Sequence, residues 1–526
     1  MMIGDPRFAG ELVTAKGLVY TFDDIECLAS FVLTGQVPED EIQSLWVNDI
    51  RRPEHRLDAR GAHYWRDEWL RTPMSSGVVA VGAEGGGYSA AGAGRVRVGN
   101  WESLLERVRH AGVHRGHQPV GVMDTSRSTG TPDLLEAEVV VDPAGPVRTL
   151  SAALRRTRPH GRILVRAGTY KEPRIMIEKP VTIEGRGWPT FIGGEHEIIT
   201  VTADSVAIRG LVVSQVTATA AEDRAGIRFS GVHGCTVENT RLHDTFFGIY
   251  LAQSSGCRIA GNTVLGKGTL QGLSGNAIHA WNSSDLTIED NDIAGHRDGI
   301  YLEFTTGSRI RNNRSTDNLR YGLHFMFSHR CDYAENLFAR NGAGVAVMFS
   351  DTVTMRRNRF EHNWGSSAYG LLLKELRDSR IEENYFGSNT VGLWTEGTSR
   401  VAVSGNRFVA NGWAIRVLGD ATENQFRGNL FLANSFDIGT NPGTNSNLFE
   451  SNYWDRYRGY DLDRDGYGDI PFQPVRLFSV MIQEHEPALV LLHSFFIDLL
   501  DLAERVVPAL TPETMKDRRP LMRAGA

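Results

Sequence analysis

The chain has 526 residues, a net charge of −7 at neutral pH and four cysteines. This length predicts two or three domains with large cores, and the mildly acidic charge offers no basic surface for nucleic acid. Four cysteines in so long a chain are too few for a disulfide framework. No uncharged apolar run reaches the roughly 18 residues of a transmembrane helix, so we predict none.

The start of the chain does not resemble an export signal. Residues 1–13 have neither the basic beginning nor the apolar stretch of a signal peptide. Two explanations stay open: the protein remains in the cytoplasm, or its true start lies upstream of Met1.

Residues 1–115 predict a small α+β domain. Its first helix follows Asp residues, which cap helices, and ends at Gly. Residues 116–136 are rich in Gly, Pro, Ser and Thr and predict a linker. The predicted elements are a hairpin at 11–22, helices at 23–35 and 101–112, and strands at 44–49, 59–68 and 75–83.

A short phrase repeats through the middle of the chain: Asn, any residue, then an apolar residue. Successive Asn are mostly 22 or 23 residues apart, and a Gly-apolar-x-apolar phrase precedes most of them. Short alternating strands without helices predict a mainly β fold, a right-handed parallel β-helix over 137–485. A leucine-rich repeat is the alternative, but its Leu spacing is absent. The repeated residues are Asn262, Asn291, Asn336, Asn358, Asn384, Asn406, Asn429 and Asn452, with Asn239 and Asn313 as looser members.

The Asn series has a structural explanation, because Asn tolerates left-handed backbone and its amide can bridge adjacent turns. Residues 161–187 predict the opening coils, and residues 139–159 predict a strand and a helix that covers the open sheet edge. One further repeat position is shared by Cys235, Cys257, Cys331, Leu286 and Val401. We therefore expect buried, free thiols there.

An acidic loop at 461–469 follows the β-helix coils. Its Asp spacing, with Gly at the sixth position, matches the ligand order of a calcium-binding EF-hand loop. Phe472 stands where that loop has a bidentate Glu, and an acidic surface turn is the alternative. Four carboxylates in nine residues repel each other without a cation, so we favour a structural Ca²⁺. The predicted ligands are Asp461, Asp463, Asp465, the Tyr467 carbonyl, and Asp469 through water.

Residues 486–526 predict a helix and a tail. The helical period covers 488–507, where Ser494, Asp498, Asp501 and Arg505 share one face and the remaining surface is broadly apolar. The helix either caps the last coil or docks onto a partner or membrane, and the pattern favours neither.

Four segments of the coils together resemble the NosD family, a copper-associated maturation factor of nitrous oxide reductase. They are "YGLHFMFSHRCDYAENLFARNGAGVAVMFS", "AYGLLLKELRDS", "NYWDRYRGYDLDRDGYGDIPFQPV" and "LTPETMKDRRPLM". The resemblance covers about 137–523 and tilts the C-terminal helix toward docking.

Residues 1–115 resemble the NosL family, the copper chaperone of the same system. The matching segments are "MMIGDPRFAGELVTAKGLVYTFDDIECLASFV", "LDARGAHYW" and "TPMSSGVVAVG". NosL-like proteins are lipoproteins with a Cys-x-Met copper motif. Met1 matches the Met of that motif, and the Cys is absent from this chain. The resemblance implies a NosL–NosD fusion.

Together the resemblances imply a periplasmic, non-enzymatic copper-handling factor. It would receive Cu(I) and help deliver it to apo nitrous oxide reductase, with the membrane subunit and ATPase of an ABC transporter. The alternative is a uronic-acid lyase or epimerase on the same fold, for which Asp298 and Glu303 offer carboxylates. No paired-carboxylate motif recurs on adjacent coils, which weakens that alternative. A structural adhesin with neither metal nor activity is a third possibility.

The stretch 323–330, "LHFMFSHR", offers copper ligands. Strict alternation directs Leu323, Phe325 and Phe327 into the coil, and His324 and Met326 outward. Met348 occupies the position of Met326 in the next coil, so we expect the two thioethers about 5 Å apart. Imidazole and thioether suit Cu(I). Spacing alone equally fits Met packing under a partner; the NosD resemblance favours copper at His324, Met326 and Met348.

The same outward face carries further rings. Tyr250, His279, Trp281, Tyr301 and Trp394 lie on it by the same alternation. An aromatic face of this kind is unlike a plain solvated surface and is suited to cover by a partner.

Overall fold

The computed structural model describes most of the chain in two compact units. The first comprises Met1–Thr131 and Thr219–Asp223, and the second comprises Pro132–Ala218 and Arg224–Ala526. The described residues are 6–15, 19–22, 24–34, 37–67, 70, 72, 76–82, 95–113, 135–217, 223–268, 270–365, 368–418, 421–440, 446–484, 487, 494–506 and 515–524. Most of the predicted linker, and Met1 itself, lie outside these residues.

The first unit is built around a seven-stranded sheet with two helices, as the predicted α+β domain requires. The elements are β1 (Gly10–Thr14), β2 (Val19–Phe22), α1 (Ile25–Thr34), β3 (Ile42–Asp49), β4 (Arg52–Asp58), β5 (His63–Asp67), β6 (Val78–Val81), β7 (Arg95–Gly99) and α2 (Trp101–Val113). The sheet order is β2-β1-β3-β6-β5-β7, with β4 on β3. The predicted hairpin is confirmed, because β1 and β2 pair antiparallel.

The second unit is a parallel β-helix, which confirms the predicted fold class. Each coil contributes one strand to each of three sheets, and each strand pairs with its counterpart one coil away. The first sheet holds Glu136–Val141, Thr157–Arg166, Val181–Arg186, Ala207–Arg209, Thr236–Glu238, Arg258–Ala260, Thr287–Glu289, Arg309–Arg311, Asp332–Ala334, Thr354–Arg356, Arg380–Glu382, Ala402–Ser404, Gln425–Arg427 and Leu448–Glu450.

The other two sheets follow in every coil. The second sheet holds Thr169–Tyr170, Thr190–Gly194, Val212–Val216, Arg241–Thr245, Thr263–Leu265, Asp292–Ala294, Arg314–Thr316, Leu337–Ala339, Arg359–Glu361, Tyr385–Gly387, Arg407–Val409, Leu430–Leu432 and Tyr453–Trp454. The third sheet holds Ile175–Ile177, Ile199–Val201, Ala225–Ser230, Phe247–Ala252, Ile278–Trp281, Asp298–Glu303, Tyr321–Met326, Ala343–Met348, Leu371–Lys374, Val391–Glu396, Trp413–Leu418 and Phe436–Thr440. Inward residues of all three sheets form one continuous core.

The first coil is covered by α3 (Leu150–Arg156), as predicted. Thr149 caps this helix, since its hydroxyl accepts from the Ala152 N–H at 3.2 Å. Leu150, Ala153 and Leu154 bury the inner face of the helix in the β-helix core.

A ladder of buried Asn side chains joins the coils, which confirms the structural interpretation of the Asn repeat. From Asn262 to Asn429, the backbone N–H and Nδ2 of each Asn both donate to Oδ1 of the next, at 2.9–3.1 Å. Nδ2 also donates to a carbonyl of the preceding coil. Asn239 is not a member. Thr240 takes that rung, and its N–H donates to Asn262 Oδ1 at 2.9 Å.

A second Asn ladder runs five residues further along each coil, and our sequence analysis missed it. The backbone N–H of each member donates to Oδ1 of the next at 3.0–3.1 Å. The pattern Asn-x-apolar-x-x-Asn was visible in the sequence, for example as "NLFARN" and "NRFEHN". The members are Asn318, Asn341, Asn363, Asn389, Asn411 and Asn434.

Two of the predicted free thiols are instead bonded. Cys235 and Cys257 form a disulfide with their Cα atoms 4.5 Å apart. The shared repeat position explains the bond, since it places the two residues side by side in adjacent coils within disulfide range. Cys331 is free and buried, as predicted.

The C-terminal segments complete the last coils. The helix α4 (Leu477–Glu484) packs Phe478 and Ile482 against Phe436 of the third sheet, and α5 (Phe495–Val506) adds Ile497 to this cluster. The tail then returns to the coil end, where Asp517 bridges to Phe449 and Leu521 bridges to Tyr453.

Asp517 ends the first Asn ladder. Its carboxylate accepts from the N–H groups of Ser451 and Asn452, from Asn452 Nδ2 and from Trp454 Nε1, at 2.9–3.1 Å. The C-terminal tail, rather than α5, therefore satisfies the donors of the last coil.

We expect Asn313→Ala to destabilise the β-helix by roughly 2–4 kcal/mol, because it leaves the buried donors of Asn291 and the Ile288 carbonyl unpaired. Asn312→Gly is the control: Asn312 is exposed, lies outside the ladder and has a positive φ of 51° that Gly adopts freely. Urea and thermal unfolding followed by circular dichroism measure both. Equal stability of the two variants would contradict the idea that the hydrogen bonds of the Asn ladder stabilise the β-helix.

Candidate functional site

The outer face of the third sheet brings the predicted copper ligands together. Met326 and Met348 are direct register partners in adjacent strands, as the sequence predicts. His324 lies two positions before Met326 on the same strand, about 7 Å along it. Three side chains from two coils thus share one patch.

One predicted side-chain direction is wrong. Leu323 and Phe325 lie in the core, but the strand ends at Met326 and Phe327 has a left-handed backbone with φ 49°. Phe304 and Phe349 share this conformation in the adjacent coils, and the three rings stack at 5.2 and 5.0 Å. Strict alternation fails because the turn begins one residue earlier than the apolar pattern suggests. The three Phe side chains therefore leave the inward series of Leu323 and Phe325 and stack on one another at this turn.

His324 is buried without a hydrogen-bond partner. Its side chain is 4% exposed, and among the described residues neither ring nitrogen has a partner. Tyr301 stacks on the imidazole at 4.6 Å and 17°, and Tyr321 lies 4.8 Å away. Burial, then Arg320 and Arg297, hold the pKa of His324 well below its usual value. The imidazole is therefore neutral and has an uncommitted lone pair.

Both methionines are also buried. Met348 packs with Ala346, Leu372 and Tyr321. The Tyr301 hydroxyl donates to Met326 Sδ at 3.7 Å. Along the outer face the two thioethers lie between their charged register partners, Glu303 beside Met326 and Lys374 beside Met348.

A second imidazole shares these properties. His279 is 6% exposed, stacks between Tyr250 at 4.6 Å and Tyr301 at 4.9 Å, and has no hydrogen-bond partner in the described part of the chain. Burial, then Arg297 and Arg228, lower the pKa of His279 to about 3. The sequence analysis placed His279 only among the rings of an aromatic face. The signal that could have singled it out was a His at an outward position of a strand. No methionine is its register partner, since Tyr250 and Tyr301 flank it.

The carboxylates of the alternative enzyme do not converge. Asp298 and Glu303 stand at opposite ends of one strand, about 16 Å apart at 3.3 Å per residue. Asp298 Oδ1 instead accepts from the Tyr321 N–H at 3.2 Å, and Oδ2 faces Arg297 at 3.5 Å. Paired carboxylates that act on a glycosidic bond lie within about 10 Å of each other. This pair does not support sugar acid–base chemistry.

The acidic loop gathers three predicted calcium ligands. Carboxylate oxygens of Asp461, Asp463 and Asp465 lie within 4.8 Å of one another. Asp469 is turned into the loop, where its Oδ2 accepts from the Leu462 N–H at 2.7 Å. Arg519 of the tail pairs with Asp465 at 2.7 Å and covers the Tyr467 ring. The calcium site stays a prediction, with Arg519 as a competing counter-charge.

We expect Ca²⁺ to raise the melting temperature of the protein by a few degrees, because it would neutralise the three clustered carboxylates and bind the folded loop in preference to the unfolded chain. The double variant Asp463→Ala with Asp465→Ala should lose this shift. Calorimetry with added Ca²⁺ and with a chelator measures it. Identical melting temperatures in the two conditions would leave Arg519 as the only counter-charge.

The helix α5 carries an exposed apolar stripe. Phe495, Leu499 and Leu502 are 80, 52 and 54% exposed, and their spacing puts them on one face. Ile497 is buried against the coils. Of the predicted polar face, Ser494 is half-buried, whereas the side chains of Asp498, Asp501 and Arg505 lie outside the described residues.

The coils match two protein families. Residues 266–459 match the family described as "Periplasmic copper-binding protein (NosD)". Residues 142–352 match a family described as "Protein of unknown function (DUF1565)". The first match contains His324, Met326 and Met348.

Two relatives are named "Probable ABC transporter binding protein NosD". The protein from Pseudomonas aeruginosa is 27% identical over 383 residues, 70% of this chain and 89% of that protein. The protein from Stutzerimonas stutzeri is 24% identical over 382 residues, 68% and 86% of the two chains. This chain is similar to NosD. The predicted resemblance to NosD is confirmed, with the family match over 266–459, whereas the NosL resemblance of 1–115 stays a prediction, as does Met1 as a copper ligand.

Among solved structures, two carbohydrate-acting proteins are similar to this chain. The A-module of Azotobacter vinelandii mannuronan C-5 epimerase AlgE6 has a TM-score of 0.44 at 15% identity, over 55% of this chain and 89% of that one. The Yersinia enterocolitica family 28 exopolygalacturonase has a TM-score of 0.48 at 11% identity, over 59% and 77%. Likenesses at this level extend to neither substrate nor activity. Among the described residues, no helix has the length and apolar character needed to cross a bilayer.

Proposed function

We propose that this chain carries Cu(I) on the outer face of its third sheet, at His324, Met326 and Met348. It handles copper in the periplasm and passes it toward apo nitrous oxide reductase without catalysing a reaction. The observation that carries the proposal is His324: a buried, neutral imidazole without a described hydrogen-bond partner, beside two register-paired thioethers. The copper-binding description of the matching family supports it.

The donor set suits a cargo metal. Thioethers are soft, neutral ligands that select Cu(I), and imidazole is compatible with it. A His whose pKa is depressed needs no proton removed before it coordinates. The binding is weaker than at thiolates because all three ligands are neutral, which suits a metal that must leave again.

We expect Met326→Leu with Met348→Leu to lower Cu(I) affinity by about tenfold or more, equivalent to about 1.4 kcal/mol or more. The fold should survive because Leu conserves the volume of Met. Competition with a chromophoric Cu(I) chelator measures affinity, and reductase maturation measures function. Met355→Leu is the matched control, since Met355 is buried in the coil core away from this face. Unchanged affinity in the double variant would leave only packing for the two methionines.

The two buried imidazoles, His324 and His279, distinguish a copper ligand from an imidazole that only stacks on its neighbours. His324→Gln should weaken Cu(I) binding as the methionine pair does, whereas His279→Gln, at an equally buried and stacked position without methionine partners, should not. An equal loss in both variants would contradict the assignment to His324 and the methionines.

We also propose that α5 docks this chain onto the membrane subunit of an ABC transporter, with its ATPase on the other side of the membrane. The exposed stripe of Phe495, Leu499 and Leu502 supports this role, because helices with such stripes lie in apolar grooves of partners. The relatives' names associate those proteins with an ABC transporter.

We expect the variant Phe495→Ser, Leu499→Ser and Leu502→Ser to keep its melting temperature but lose most co-purification with the transporter subunits. Leu462→Ser is the control, because Leu462 is 77% exposed on a different segment. Truncation after residue 485 is a poor test, since it also removes Asp517 from the last coil. If the triple variant still co-purified fully with the transporter subunits, α5 would have no docking role and would only cover the last coils.

A further inference from the structure

Tyr301 touches both kinds of proposed copper ligand at once. Its ring lies 4.6 Å from the His324 ring, nearly parallel to it, and its hydroxyl donates to Met326 Sδ at 3.7 Å. The residue sits one coil below His324 and is its register partner. Met326 in turn has Glu303 as its partner on the strand of Tyr301.

The stack restrains the imidazole. Tyr301 stacks on the His324 ring at 4.6 Å and 17°, and the Tyr321 ring lies 4.8 Å from it at 49°, so two rings restrain the imidazole. A ring held in this way keeps its two nitrogens in a fixed direction. The His324 side chain therefore loses little conformational entropy when it binds a metal.

The hydroxyl acts on the sulfur. A thioether is a weak acceptor, whereas a buried hydroxyl is a strong polar group that loses free energy when its acceptor is withdrawn. A metal bound at Met326 Sδ draws on the same sulfur electron density as the Tyr301 O–H, so coordination and the hydrogen bond weaken each other. The hydrogen bond also draws electron density from the sulfur and weakens it as a donor.

We propose that Tyr301 is a positioning residue with two opposed effects on copper: its ring orients His324 and strengthens binding, and its hydroxyl engages Met326 and keeps the metal exchangeable. This inference rests on the proposed copper site. It assigns release of the cargo to a single hydroxyl one coil below the ligands.

The test separates ring from hydroxyl with two substitutions of one residue. Tyr301→Phe keeps the ring and should bind Cu(I) about three- to tenfold more tightly, with correspondingly slower transfer to a chelator in stopped-flow mixing. Tyr301→Leu removes the stack and should bind more weakly than the wild type. The Met326 methyl resonance of ¹³C-methyl-labelled apoprotein should shift in Tyr301→Phe, which a merely structural ring would not cause.

Tyr250→Phe is the matched control. Its ring stacks on His279 at 4.6 Å much as the Tyr301 ring stacks on His324, but its register partners are Arg228 and His279, and no methionine adjoins it in register. Its Cu(I) affinity should equal that of the wild type. Wild-type or weaker affinity in Tyr301→Phe, with the His324 and methionine variants impaired, overturns the inference and leaves the copper site standing. Wild-type affinity in the His324 and methionine variants overturns both.

Discussion

The structure depends on one interaction, the hydrogen bond from each buried Asn amide to the amide of the next coil. This bond and the strand pairing beside it set the same step between all coils from Asn262 to Asn452. Any drift in that step would leave amide groups unpaired in the interior, where each unpaired group costs about 1–3 kcal/mol. The ladder therefore holds the register of the outer faces as firmly as that of the core.

Constant register is what assembles the candidate site. Tyr301, His324, Met326 and Met348 come from three successive coils and are distant in sequence, yet they meet because equivalent positions stack. The inward faces are occupied by aliphatic and aromatic side chains, so the outward columns are free to vary without loss of the fold. In these three coils the outward positions hold Tyr301 and Glu303, then His324 and Met326, then Ala346 and Met348, in register. Functional side chains can therefore occupy the outward positions without changing the fold.

Regular patterns in the sequence predicted the regular parts of the molecule. The Asn and Gly phrases located the coils, and alternation placed His324, Met326 and Met348 outward. Two predictions were wrong. Phe327 does not point inward, because the strand ends before it and its backbone is left-handed. Cys235 and Cys257 are not free thiols, because residues at the same repeat position lie next to each other in adjacent coils. Asp517 lies 65 residues from the Asn452 donors that it accepts from, and no local pattern predicts so distant a partner. The unpartnered nitrogens of His279 likewise depend on the packing around them, which spacing does not encode.

The carboxylate at the end of the Asn ladder has a consequence for the order of events in folding. An Asn accepts from the coil before it and donates to the coil after it, so a ladder of Asn always presents a donor to the next arrival. Asp517 only accepts, and therefore terminates the series. Because Asp517 follows all of the coils along the chain, the final coil retains unpaired donors until the segment that contains Asp517 has been synthesised. The C-terminal end of the β-helix is therefore the last part to be completed. A chain whose synthesis stalls before Asp517 would expose an open sheet edge, to which a strand of another chain could pair.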